Sequence, residues 1–247
     1  EEVRVLDYAD VPAITRALEG CTHAVHLVGI IKESSNTDYA TAHEATTAAL
    51  VSAAESAGIA RIVYLSILGS AAGSENRCLA SKARAELLLA NSAVASTVFR
   101  VPMVLGENDY ASQALARHRG SAWAFTFRAS SFEQPIYAGD VVAAIIAALT
   151  KNIDGVFDLA GPMSLQRRAL FRRAGFTGRL ISLPLWVGKA TARIMSAFTD
   201  NPPVTRDMLG VLDHDDAIDP SPTFNTFGIT PTSLDETLER TVFSRGT

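Results

Sequence analysis

In the first third of the chain, short apolar runs alternate with longer stretches whose apolar positions recur every three or four residues. Val3-Arg-Val-Leu-Asp7 reads as a short strand ending in a turn. Asp10 is placed to cap a helix over Val11–Leu18, which Gly20 stops. Ala24–Val28 is the next strand, closed by Gly29, and an alanine-rich helix runs from about Tyr39 to Ser56 with Gly58 after it. Ile62–Leu65 is apolar and partly β-branched and gives way at Ser66 to a loop of Gly, Ser and Asn, the pattern of a buried parallel strand. Beyond the loop, Leu79, Ala83, Leu87 and Leu88 recur at helical spacing, with Lys82 and Glu86 on another face. This alternation predicts an α/β protein, a doubly wound parallel sheet with helices on both faces. The expected division is a sheet domain over residues 1–160 and a small C-terminal α-rich lobe over 161–247, the two interleaved.

Composition narrows the class without changing it. The 247 residues are 48% hydrophobic and 19% charged with a net charge of -4, ordinary values for a globular protein with a sizeable core. No basic stripe with interleaved aromatics is present, which argues against nucleic acid as a partner. Two cysteines, Cys21 and Cys78, are too few for a disulfide framework and point to a reducing compartment. The longest apolar run, Val141–Leu149, is too short to span a bilayer and no leader pattern opens the chain, so a cytoplasmic protein, free or peripheral at a membrane, is expected.

The chemistry concentrates between Arg61 and Glu86. A strand ending in Ser66 and a helix bearing Lys82 point polar groups at the edge of an open α/β sheet, where such sheets bind ligands. The stretch resembles the active-site segment of the short-chain dehydrogenase/reductase superfamily, in its extended and atypical, epimerase/dehydratase-like branches. There a Ser follows the strand and a Tyr-x-x-x-Lys motif opens the next helix. Ser66 and Lys82 match, but Cys78 stands where the Tyr is expected. In the family the Tyr phenol is the general acid/base, while the Lys lowers its pKa and binds the ribose. A thiol has an ordinary pKa of ~8.5 yet reaches far less than a phenol.

The resemblance runs along most of the chain and implies a Rossmann-like fold holding NAD or NADP. Asp7 and Tyr8 match the segment that flanks the adenine. Leu27, Val28 and Gly29 match the strand end that passes beside the ribose and pyrophosphate, and Val101, Pro102 and Met103 match residues near the nicotinamide. Pro135-Ile-Tyr-Ala-Gly-Asp140 and Gly161-Pro162 fit the later part of the pattern, with Asp140 available as an N-cap. His43 is the histidine expected on the cofactor side; His23, His26 and His118 read as structural. Leu-Val-Gly-Ile-Ile, Ser66-Ile-Leu-Gly and the closing Phe227-Gly-Ile-Thr-Pro-Thr-Ser-Leu look most like the group containing the nucleotide-binding accessory subunit of respiratory complex I.

The family opens with a strand, a Gly-x-x-Gly-x-x-Gly turn, a helix and a second strand, for which residues 1–247 hold no counterpart. A unit of roughly fifty to sixty residues is therefore expected upstream, the rival reading being a relic that binds no nucleotide. The residue that separates NAD from NADP belongs to that unit. Two regions remain. Pro184–Phe198 reads as an amphipathic helix, with Trp186, Ile194 and Phe198 toward one side and Lys189 and Arg193 toward another, either packing on the sheet or docking on a protein partner or membrane surface. Asp213-His-Asp-Asp216 reads as a solvated turn or cap rather than a metal site.

Two functions are compatible with these residues. One is an NAD(P)-binding protein with weak or no Tyr-dependent dehydrogenase activity. The other is an active NAD(P)-dependent oxidoreductase or epimerase on a small carbonyl, sugar or quinone-like substrate, Lys82 binding the nicotinamide ribose and Ser66 the substrate oxygen.

Overall fold

The computed structural model describes residues 2–196, 199, 205–211 and 213–244. In chain order its elements are α1 (Val11–Leu18), β1 (His23–His26), α2 (Thr46–Ala57, continuing a π-helical stretch Ala40–Ala45), β2 (Arg61–Ile67), α3 (Arg77–Ala90) and β3 (Ala95–Val101). Then come β4 (Val104–Leu105), α4 (Tyr110–Arg117), β5 (Trp123–Phe127), β6 (Phe132–Glu133), β7 (Ile136–Tyr137), α5 (Ala138–Lys151) and β8 (Gly155–Asp158). The rest comprises β9 (Leu165–Gln166), α6 (Arg167–Arg173), β10 (Arg179–Leu183), α7 (Leu185–Ser196), α8 (Arg206–Val211), α9 (Ser221–Phe227) and α10 (Leu234–Leu238), the last running into a π-helical stretch Glu239–Phe243. Two compact units share these elements: Glu1–Arg100 with Ala148–Phe157, and Val101–Ala147 with Asp158–Thr247.

The first unit is a Rossmann-like α/β body around a four-stranded sheet of order β1-β2-β3-β8. β1 and β2 run parallel, His26 opposite Tyr64, because the helix between them returns the chain to the same sheet edge. Local chemistry sets the helix ends. The Asp10 carboxylate accepts from Ala13 N at the start of α1, and Asn76 Oδ1 accepts from the N–H groups of Cys78 and Leu79 at the start of α3. Gly58 ends α2 at φ 72°, a left-handed cap that a side chain would strain. Ile14, Leu50, Ile62, Tyr64, Leu89 and Val98 form the core, helix faces against the sheet.

The second unit is built from short strands and helices: β5 with β10 and β4 with β7 in parallel, β6 with β9 antiparallel. Leu105, Leu115, Leu165, Leu170, Leu234 and Leu238 fill its core.

The structure corrects two expectations, the strand Val3–Asp7 and the Asp140 cap, and shows how two further regions are placed. Val3–Asp7 forms no strand; Val3 and Val5 are 82% and 97% exposed, and no described segment offers the ladder a strand requires. Asp140 lies inside the first turn of α5 and caps nothing there; its carboxylate accepts from Thr232 N and Oγ1 at 2.8 and 2.7 Å, tying two distant stretches of the second unit. Of the predicted helix Pro184–Phe198, Leu185–Ser196 is helical with Trp186 exposed, whereas Phe198 and the side chain of Ile194 lie outside the described residues. In Asp213–Asp216 the Asp213 carboxylate pairs with Lys189 and Arg128, Asp215 accepts from Phe132 N, and His214 Nε2 lies 3.0 Å from Asp216.

Candidate functional site

The carboxyl end of β1 and the first turns of α3 meet in the first unit. Lys82 is 5% exposed; its ammonium donates to Leu65 O at 3.0 Å and Val28 O at 3.5 Å and lies 4.6 Å from the centre of the Tyr64 ring. An ammonium carries three N–H donors, so the third is left with only the ring face among the described residues. Burial pushes its pKa down to about 8. Gly29 lets the loop pass this close, since a Cβ there would stand 2.8 Å from Lys82 Nζ.

Cys78 and His43 hold the same loop from either side. The thiol, fully buried, lies 3.7 Å from Ile30 O. His43 Nε2 lies 3.1 Å from Ile30 N and 3.0 Å from Ile30 O; a neutral ring makes one of these bonds, as its tautomer dictates. Burial, then the Lys82 charge, pushes the His43 pKa down to about 4 and that of His26 likewise, so both rings are neutral near pH 7. Both ring nitrogens of His26 and the Nδ1 of His43 are buried with no partner among the described residues. His43 sits in the π-helical stretch, a local widening common at functional positions.

Ser66 is placed differently from a free substrate ligand. Its hydroxyl is buried and donates to Glu86 Oε1, and Glu86 is paired with Arg100 through Nε and Nη2. The loop is further fixed by Tyr39 Oη on Ile31 O and by Arg77 on Glu33. Thus Val28, Gly29, His43, Cys78 and Lys82 come together, with Ser66 one residue beyond the carbonyl that holds Lys82. Asp7 is exposed and accepts from Ala9 N in its own turn, Tyr8 packs at 6.0 Å on the His26 ring, and Leu27 is 61% exposed. Val101, Pro102 and Met103 belong to the second unit, Met103 O accepting from Ile136 N.

Sequence reasoning passed over His26, Glu86 and Arg100 as site-forming groups. A charged residue at the end of a buried strand (Arg100) and another on a mostly buried helix face (Glu86) were the available signal, because such charges must pair. The His26–Tyr64 stack, with ring centres 5.4 Å apart, follows from strand register and had no local signature.

A buried ammonium with a donor to spare, beside a glycine-lined strand end, fits the hydroxyls of a nucleotide ribose. Residues 1–152 match the NAD(P)H-binding family over most of that unit. The chain belongs to the NAD(P)H-binding family. Two curated relatives are the mitochondrial NADH dehydrogenase [ubiquinone] 1 alpha subcomplex subunit 9 of Arabidopsis thaliana, 29% identical over 63% of this chain and 40% of that protein, and its Mus musculus counterpart, 25% identical over 93% and 63%. The NAD(P)H-binding chain thus spans less than two thirds of either relative. Among solved structures, a nucleoside-diphosphate-sugar epimerase from Staphylococcus aureus superposes with a TM-score of 0.73 at 18% identity, covering 96% of this chain and 83% of that one. An NADPH-dependent quinone oxidoreductase from Escherichia coli, complexed with NADPH, gives 0.72 at 20% identity over 96% and 82%. These likenesses establish the Rossmann-like α/β fold.

Proposed function

We propose that this chain is a nucleotide-holding protein, binding NAD(P)(H) through Gly29, Val28 and Lys82 without Tyr-dependent turnover. The observation that carries the reading is Cys78, a fully buried thiol at the Tyr position, 3.7 Å from a backbone carbonyl. In the related motif the phenol delivers the proton. Loss of a positioned general acid costs about 10² to 10⁴ in rate. Lys82 binds and orients a ribose hydroxyl, and Ser66, engaged by Glu86, stabilises the strand end. When bound, NAD(P)H supplies a hydride; this chain's own residues supply no comparable proton donor at position 78. The two relatives named as NADH dehydrogenase subunits add the expectation of a protein partner, and α7, with Trp186 71% exposed, is the segment we assign to that contact.

The alternative, an active oxidoreductase, draws on one observation: an ammonium with a pKa of about 8 can itself exchange a proton near neutral pH. Titration of NADH and NADPH into the protein, followed by cofactor fluorescence, with steady-state oxidation of each by a quinone and a small aldehyde, separates the two. Nucleotide binding with negligible turnover, raised by Cys78→Tyr, is the expected result. Turnover above about 1 s⁻¹ by the unaltered protein establishes the enzyme instead, and no binding of either nucleotide removes both readings.

A further inference from the structure

We propose that a cavity of about 530 Å³ beside α6 in the second unit binds a phosphate or diphosphate ester, gripped by Arg168, Arg172 and Arg173. The stretch Ser164–Arg179 carries five arginines and no Asp or Glu, in a chain whose net charge is -4. One of the five, Arg167, is buried and paired with Glu133. Three others project from the same short helix into one concavity, with Gln166, Leu180 and Ser182 completing its wall.

Their partners are what single out this cavity. Among the described residues the Arg168 guanidinium reaches only Ala129 O, at 3.5 Å. Arg172 donates to Phe176 O at 2.9 Å, and its guanidinium lies 5.3 Å from the Phe176 ring centre, which leaves further N–H groups to donate. Among the described residues neither arginine has a carboxylate within ion-pair distance; Arg173 alone has one, Asp235 at 2.6 Å. Arg168 and Arg172 stand four residues apart on one helix, a spacing at which like charges repel and cost stability. A bridging anion reverses the sign of that interaction.

Guanidinium forks match phosphate oxygens two at a time, and two uncompensated charges call for a dianion rather than a single carboxylate. The remaining lining suits the organic part of an ester. Leu180, Ala129 and Ala169 offer apolar contact, and the Ser182 hydroxyl, which accepts from Ala129 N at 3.1 Å, keeps its own O–H to donate. The site is separate from the nucleotide reading above and stands without it.

The test is calorimetric titration of inorganic pyrophosphate into the protein, with and without NADPH present, alongside Arg168→Gln/Arg172→Gln. The double variant should bind pyrophosphate at least about tenfold more weakly with NADPH affinity unchanged, and Arg168→Lys/Arg172→Lys, which keeps the charge but loses the fork, should fall between. The lysine pair also serves should the glutamine pair fail to fold. Flotation with phosphatidylcholine vesicles containing phosphatidate identifies the source of the phosphate. Vesicle binding that pyrophosphate competes away points to a lipid headgroup; pyrophosphate binding without vesicle binding points to a soluble ester. Pyrophosphate that fails to bind, or binds both variants as well as the unaltered protein, overturns the proposal.

Discussion

Lys82 shows how little room the site leaves for substitution. Its ammonium is held between two backbone carbonyls and the Tyr64 ring, and the loop that supplies one carbonyl comes near only because residue 29 lacks a Cβ. Gly29→Ala would place a methyl group 2.8 Å from Nζ, at the movable end of a lysine, so the chain should fold with the ammonium displaced. The expected outcome is a melting temperature within a few degrees of the parent and NAD(P)H affinity lowered by about tenfold, roughly 1.4 kcal/mol. Equal loss of stability and affinity would instead mark Gly29 as a packing residue.

At the scale of the element, α3 is more than a carrier for Lys82. Its N-terminal turn is capped by Asn76 and anchored by Arg77 to Glu33, and its buried Glu86 receives the hydroxyl of Ser66 from β2 and the guanidinium of Arg100 from β3. Glu86 is 5% exposed and Arg100 28%, so removing the carboxylate takes a half-buried guanidinium's charged partner away and leaves the Ser66 hydroxyl only its longer, 3.4 Å contact with Ser70 Oγ among the described residues. Glu86→Ala should destabilise the protein by about 3 kcal/mol in urea unfolding, near the lower end for breaking a buried pair. A cost below about 1 kcal/mol, the value of a surface pair, would remove this network from the account of how α3 is seated.

For the molecule as a whole, the two buried histidines predict an acid-sensitive fold. Both have folded pKa values near 4 against an ordinary value of 6.5, because burial disfavours the charged ring. As pH falls from 6.5 toward 4, the unfolded chain takes up protons that the folded chain refuses, and stability drops with pH. Each histidine contributes up to about 1.4 kcal/mol per pH unit across that window. His26→Phe keeps a ring beside Tyr64, removes two nitrogens that have no partner among the described residues and should shed one histidine's share of the slope. Melting temperatures taken across pH 4 to 7 check this, and an unchanged acid limb would place the sensitivity elsewhere. No helix among the described residues is long and apolar enough to cross a membrane.

The sequence by itself determined most helices and central strands of the first unit and the motif on which the functional reading rests. Helix α1, the run of β2 and the helix bearing Lys82 were legible because their signals are local: capping side chains, apolar spacing, and glycines where the chain must turn. The substitution of Cys78 was equally plain. Only the tertiary structure decided that Val3–Asp7 pairs with no described strand, that Asp140 serves Thr232 rather than its own helix, and that Ser66 is claimed by Glu86. It also decided that His26 stacks on Tyr64 and that two arginines of α6 face a cavity without a carboxylate. Those outcomes depend on which remote segment lies opposite a given side chain, and a buried polar group takes whichever partner the fold brings within reach. Spacing along the chain carries no record of that choice.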